Sequence, residues 1–169
     1  MRIADVPATR EQRGARRSPT KDELATWRDF VETSELVRGV IGSRLQAESG
    51  LSTGDYAVLL SLSEAQGSRV RSSELASRIG WQRSRLSHHL GRMEQRGLIR
   101  RENCATDSRG AEAVLTPAGA DAFRRASAPH MHAIHDLFAS ALRVDQLTSL
   151  REITQTLREQ VESSVRERS

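Results

Sequence analysis

This chain has very little of what many protein classes depend on. It holds a single cysteine, Cys104, so an intramolecular disulfide is excluded. No apolar run is long enough to act as a secretory core or to span a bilayer, which points to a cytoplasmic protein with no membrane partner. Aromatic residues make up only 4% against a hydrophobic content of 37%, a balance that suits a helical Leu/Ala-rich core better than a β-sandwich. There is no nucleophile elbow, Walker loop, dinucleotide fingerprint or HExxH pattern, so the chain is not read as an enzyme and no cofactor is assigned. Ser87 beside His88 is no catalytic pair, because neighbouring helix residues point about 100° apart. Lysine is also nearly missing: Lys21 is the only one, and the remaining basic charge is arginine.

That arginine is unevenly placed. Net charge is only +4, yet the segment 69–109 carries Arg69, Arg71, Arg78, Arg83, Arg85, Arg92, Arg96, Arg100, Arg101 and Arg109 against Glu74, Glu94, Glu102 and Asp107. Such a basic stretch suits a polyanion. Its secondary-structure signals agree. Ser72 or Ser73 reads as the N-cap of a helix through Ile79, broken by Gly80. A longer helix is expected from Trp81 to Arg96, ending at Gly97. On it Leu86, Leu90 and Met93 form one apolar stripe for a core. Ser84, His88 and Gly91, flanked by Arg85 and Arg92, form the opposite face, which is free of carboxylates until Glu94. Arginine can fork two donors onto guanine, and serine or histidine can reach base edges or phosphates. The bland alternative is an ordinary solvated helix face.

Leu98–Glu102 and Glu112–Thr116 then read as antiparallel strands around a turn-rich loop, 103–110, with Arg109 near its tip. An arginine there suits a narrow minor groove. Asp107 is placed to support it, although a local Asp107–Arg109 surface pair accounts for the same residues. The fold class is thus mainly α with a small β-hairpin wing: a winged helix-turn-helix domain carrying N- and C-terminal dimerisation helices.

The helices outside this lobe have recognisable starts. Thr20 and Glu23 form a capping-box signature behind Pro19. The helix that follows places Leu24, Trp27, Val31, Leu36, Val37, Val40, Ile41 and Leu45 mostly at spacings of three and four, ending near Glu48-Ser49-Gly50. Ser52 caps a shorter helix whose Tyr56, Leu59, Leu60 and Leu62 are expected to fill the core, and Gln66–Ser68 is expected as a loop. Thr116-Pro117 opens another helix, which Pro129 should kink or split. A last helix from about Asp145 lines up Leu147, Leu150, Ile153, Leu157 and Val161, a stripe that needs a partner. The expected organisation is a flexible basic arm over 1–18, a dimerisation helix over 19–50, the DNA-binding lobe over 51–116 and C-terminal dimerisation helices over 117–169. The arm either touches phosphates beside the binding site or is a solvated tail.

The strings Leu51-Ser52-Thr53-Gly54-Asp55-Tyr56-Ala57-Val58-Leu59, Glu74-Leu75-Ala76, Arg92 through Arg101, Asp107-Ser108-Arg109-Gly110 and Leu115-Thr116-Pro117-Ala118-Gly119 resemble, in order and spacing, the MarR-type winged-helix transcriptional regulators. The resemblance implies a homodimer that binds a pseudo-palindromic double-stranded DNA operator, one recognition helix in each of two major grooves and each wing in a flanking minor groove. It matches Ser84, Arg85, Ser87 and His88 to DNA-contacting positions and Arg109 to the wing arginine; Arg83 and Arg92 join them as candidate contacts. His89 departs from the family's usual aliphatic residue and is expected to pack against the wing or a neighbouring helix. The same resemblance implies an organic effector site between the dimerisation helices and the DNA-binding lobe. Its candidate lining is Trp27, Phe30, Arg38, Tyr56 and His130, each explained equally well as core or surface.

Three rival readings remain at this level. A winged helix serving as a protein-interaction module is disfavoured by the outward arginines. Redox sensing rests on Cys104 among Arg100, Arg101 and Arg109, where a thiol would be acidified; a bystander cysteine is the simpler reading. Zinc response rests on His130, His132 and His135, which lack a matching Cys or carboxylate cluster, so no metal site is assigned.

Overall fold

The computed structural model describes residues 18–104 and 107–167, except for the side chains of 103–110. The expected arm therefore lies outside the described residues, apart from Ser18. The side chains of Cys104, Asp107 and Arg109 lie outside them too. The chain divides into two units, Met1–Arg38 and Gly39–Ser169, and the boundary falls within helix α1, Lys21–Ser49.

In the first unit, α1 begins at the expected capping box. Glu23 accepts from the Thr20 amide at 2.8 Å and the Thr20 hydroxyl accepts from the Glu23 amide at 3.2 Å. Its apolar residues Leu24, Trp27, Phe30 and Leu36 are exposed.

The second unit holds the core. Helix α2, Thr53–Ser63, is capped by Ser52 with Asp55 completing a capping box. It buries Tyr56, Val58, Leu59 and Leu62. Leu60, expected beside them, is exposed.

The loop expected at Gln66–Ser68 is a tight turn, with Gly67 at φ +68° and Ser68 at φ +53°. It is followed by a strand that the sequence pattern did not suggest, β1, Arg69–Arg71, in which only Val70 is buried. Helix α3, Ser72–Arg78, starts from Arg71 with no side-chain cap, so neither Ser72 nor Ser73 caps it; both lie in its first turn. Gly80 takes a φ of +68°, which lets the Trp81 amide reach back to Ala76 O at 2.9 Å and end the helix.

Helix α4, Arg83–Gln95, begins two residues after the expected Trp81. It ends at Gly97, φ +73°, with the Leu98 amide donating to Met93 O at 3.0 Å. Leu86, Leu90 and Met93 are buried as the apolar stripe requires.

The wing is larger than expected. Strands β2, Ile99–Cys104, and β3, Asp107–Leu115, are antiparallel. Ile99 pairs with Leu115 and Asn103 with Ala111, and the register shifts between Asn103 and Cys104. Most of the expected 103–110 loop is thus strand, and Arg109 lies on β3. Pairing to a long partner outweighs the turn-forming composition. On its other edge β3 pairs with β1, giving a three-stranded sheet of order β1-β3-β2.

Helix α5, Pro117–Ile134, is capped by the Thr116 hydroxyl, which accepts from the Gly119 amide at 3.0 Å. It runs through Pro129 without splitting, which leaves a kink as the other outcome expected there. Ala126 and Ala133 are buried on either side of the proline, and this packing holds the helix across the one missing backbone donor. A wider π-type turn follows over His135–Ala139. Helix α6, Val144–Arg166, leaves Ile153, Leu157 and Val161 exposed. Among the described residues, no helix is long and apolar enough to cross a membrane.

Candidate nucleic-acid interface

Burying Leu86, Leu90 and Met93 turns the opposite face of α4 outward. Arg83, Ser84, Arg85, Ser87, His88 and Arg92 are all exposed. No Cβ-sized obstruction lies within 4 Å of Gly91, so this face also contains a stretch of approachable backbone.

Ion pairing sorts the arginines of this region. Arg78 pairs with Glu74, Arg96 with Asp55, Arg101 with Glu94, Arg100 with Glu102, and Arg69 with Glu102 and Glu112. Arg83, Arg85 and Arg92 have no carboxylate partner among the described residues. The uncompensated positive charge is therefore concentrated on the outward face of α4.

Two of these three arginines are nevertheless held. The Arg85 guanidinium lies over the Trp81 ring, 4.2 Å from its centroid, in a cation–π contact. Arg92 Nη2 donates to Nδ1 of His89 at 2.9 Å. Because Nδ1 is the acceptor, neutral His89 carries its proton on Nε2, and that atom lies 3.1 Å from Asp55 Oδ1. The His89 ring meets the Trp81 ring edge-on with centroids 5.1 Å apart. His89 thus packs against a neighbouring helix, as expected.

Asp55 is 3% exposed and densely bonded. Its Oδ2 accepts from the Ser52 amide at 2.9 Å and from Arg96 Nη1 at 2.7 Å, while Arg96 also reaches Gly50 O at 2.8 Å. Burial pushes its carboxyl up, but the bonds from Arg96 and Ser52 outweigh that and hold it below the ordinary 3.8. Burial, helped by the cations Arg92 and Arg96, keeps His89 below the ordinary 6.5 against the opposing pull of Asp55.

At the other end of α4, Glu94 fixes the base of the wing. It accepts from the Arg101 amide at 2.8 Å and from Arg101 Nε at 2.7 Å. Those bonds hold its carboxyl below the ordinary value.

The expected effector residues fall in both units, Trp27, Phe30 and Arg38 in the first and Tyr56 and His130 in the second. Trp27 and Phe30 have ring centroids 6.2 Å apart, and Arg38 Nε donates to Ser34 O at 3.3 Å. In the second unit Tyr56 packs against His130, centroids 4.3 Å apart, and against Phe123 at 5.1 Å. Burial lowers the pKa of His130. His132 is exposed and His135 lies 3.5 Å from Asp136; among the described residues, no three His, Cys, Asp or Glu side chains are grouped to hold a metal ion.

Four residues that organise this face, Asp55, Trp81, Glu94 and Arg96, had no site role in the sequence reading. Only Asp55 left a signal, as the fourth residue of the Ser52 capping box.

A three-helix lobe with a short paired strand, an outward helix of uncompensated arginines and a β-wing defines a winged helix-turn-helix DNA-binding protein. The MarR family model matches residues 49–110. Among solved structures, AbsC, a MarR family transcriptional regulator from Streptomyces coelicolor, is similar at a TM-score of 0.80 and 36% identity, over 88% of this chain and 99% of that one. Sco3205, a MarR family transcriptional regulator from the same organism solved in complex with DNA, is similar at 0.80 and 35% identity, over 85% and 91%. An organohalide-sensing transcriptional regulator in its 2,4-dichlorophenol-bound form shares the fold at 0.72 and 20% identity, over 86% and 88%. The comparison with curated proteins found no significant match. The chain belongs to the MarR family of transcriptional regulators, which are not enzymes.

Proposed function

We propose that this regulator is a cytoplasmic homodimeric repressor that occupies a pseudo-palindromic operator. The observation that carries the reading is the ion-pair asymmetry: Arg83, Arg85 and Arg92 face outward without a carboxylate, while five neighbouring arginines are paired. In this reading α4 enters the major groove. Arg85, Ser84 and His88 read base edges; Arg83, Ser87 and Arg92 reach phosphates or flanking bases; and Arg109, supported by Asp107, enters the minor groove from the wing. Residues 51–116 form the DNA-binding lobe, and the helices of 19–50 and 117–169 form the dimer. The exposed Ile153, Leu157 and Val161 of α6 support the dimer, as do the exposed apolar residues of α1. The dichlorophenol complex of a distant relative supports release by an organic effector, for which Trp27, Phe30, Arg38, Tyr56 and His130 are the candidate contacts.

The test is selection of duplexes from a random-sequence pool, followed by titration of the selected duplex and an unselected one at two salt concentrations. The expected result is a strong preference for the selected, two-fold-related sequence with a steep salt slope. Arg85→Ala should lose about 10-fold or more and relax preference at one position per half-site. Failure to enrich any sequence would refute operator recognition.

A further inference from the structure

Arg85 and Arg92 are seven residues apart on α4, so they project within about 20° of one another around the helix. His89 lies between them, one turn from each. Beneath the two arginine heads stands a column from three segments: Asp55 on α2, His89 on α4 and Trp81 in the turn before α4. The contacts form a continuous chain. Asp55 Oδ1 is 3.1 Å from His89 Nε2, His89 Nδ1 accepts from Arg92 at 2.9 Å, the His89 ring sits edge-on to Trp81, and Trp81 carries Arg85 on its face.

The column is tightly confined. His89 is 8% exposed. A Cβ at Gly54 would stand 2.6 Å from Trp81 Cη2 and 3.1 Å from His89 Cε1, so no side chain fits between α2 and the two rings. An aliphatic residue at position 89 would fill the space but could neither accept from Arg92 nor donate toward Asp55.

We propose that His89 is a positioning residue for DNA recognition. Packed in a buried slot between Asp55 and the Trp81 ring, it holds the Arg92 guanidinium at the DNA-facing surface before DNA arrives, while the same column seats Arg85 on Trp81. A long arginine otherwise loses its rotamer freedom on binding. An acceptor at Nδ1 removes part of that cost and sets the direction in which the remaining donors point. This rests on reading the outward face of α4 as the DNA contact.

The test uses the full-length protein and a duplex selected by it from a random-sequence pool, with Arg92→Ala, His89→Gln, His89→Asn and the double variant His89→Gln/Arg92→Ala. Glutamine keeps a donor near the Nε2 position and loses the acceptor for Arg92; asparagine keeps an acceptor near Nδ1 and loses the donor toward Asp55. Arg92→Ala is expected to weaken binding by about 10-fold and to reduce the salt slope by about one. His89→Gln should reproduce most of that loss and the change in slope, and His89→Asn should bind within about 2-fold of the parent. The double variant should bind no more than about 2-fold more weakly than Arg92→Ala alone.

If His89→Gln weakens binding equally with and without Arg92, His89 is only scaffold and the proposal falls. It also falls if Arg92→Ala leaves affinity unchanged while Arg83→Ala and Arg85→Ala lower it; the DNA-facing reading of α4 then survives. If none of the three alanine variants changes affinity, both readings fall. Imidazole 15N shifts of the unaltered protein give a check independent of variant folding: Nδ1 must be unprotonated and Nε2 protonated at neutral pH. The opposite tautomer overturns the proposal.

Discussion

Replacing Asp55 by alanine tests the column from its foot. Its carboxylate holds the amide of Ser52 and the guanidinium of Arg96 and lies 3.1 Å from the buried Nε2 of His89. Losing the amide bond, half of a capping box, costs about 1 kcal/mol. The Arg96 pair is not a fully buried one, because the Arg96 side chain is 44% exposed and its charge regains water. It therefore contributes about 1 kcal/mol rather than the ~3–5 kcal/mol of a pair broken deep in a core. His89 Nε2 is buried 3.1 Å from Asp55 Oδ1 without a hydrogen bond between them, so removing the carboxylate takes away a favourable charged neighbour only, at a cost of about 1 kcal/mol. Against these losses, a carboxylate no longer has to be kept out of water, which returns about 1 kcal/mol. The net expectation is about 2 kcal/mol of destabilisation, or a fall of about 4–8 °C in Tm for a chain of this size. Urea unfolding at fixed protein concentration is the assay, since association would make the midpoint concentration-dependent. The transition should move with its m-value unchanged. A loss below about 1 kcal/mol would refute the claim that these three contacts depend on one carboxylate.

Gly119→Ala should be more damaging, because its Cβ would stand 1.9 Å from Leu98 O, a backbone atom already accepting from Thr116 at 2.9 Å. A loss of about 3 kcal/mol or more, seen as poor soluble yield or early thermal unfolding, is expected; a Tm equal to the parent's would refute the close approach. The pH dependence follows from two depressed groups. With His89 below its ordinary 6.5, the stabilisation from its neutral form is fully present above pH 6.5. It is lost as pH falls through the lower folded value, because burial disfavours the charged ring and a proton on Nδ1 opposes the Arg92 donor, with Asp55 alone favouring the charge. Asp55, held below 3.8, contributes stability above that pH and loses it only in stronger acid. Thermal unfolding from pH 8 to 4 should show an early fall that His89→Asn removes; an unchanged fall in that variant would assign the effect elsewhere.

Much of this fold was legible in the sequence because local chemistry and packing agree. Thr20, Ser52 and Thr116 begin helices through side-chain bonds to nearby amides, and Gly80 and Gly97 end them with positive φ. Leu86, Leu90 and Met93 mark the buried face of α4 by spacing alone. The departures have a common source in tertiary pairing. Strand β1 has a single inward residue, Val70, and exists because β3 offers it an edge. The wing reaches into a segment of turn-forming residues because β2 and β3 pair through it. Pro129 is tolerated inside α5 because Ala126 and Ala133 keep that helix against its surroundings.

The candidate site was legible at the level of residue type but not of charge balance. Counting arginines from 69 to 109 treats each as available to a phosphate, whereas among the described residues Arg69, Arg78, Arg96, Arg100 and Arg101 are paired with carboxylates. Arg96 and Arg101 are paired across the fold, with Asp55 41 residues away and Glu94 seven residues away. No local pattern distinguishes Arg96, whose partner lies on α2, from Arg92, whose partner is a histidine one turn away. The pairing changes what each residue can do. Arg96 and Arg101 use their charge to tie α4 to α2 and to the wing, and so fix the geometry of the face. Arg83, Arg85 and Arg92 have no carboxylate partner among the described residues and are the cations proposed to meet the operator. A site of this kind is defined by which cations remain uncompensated after folding, and that is a property of the packed chain rather than of its composition.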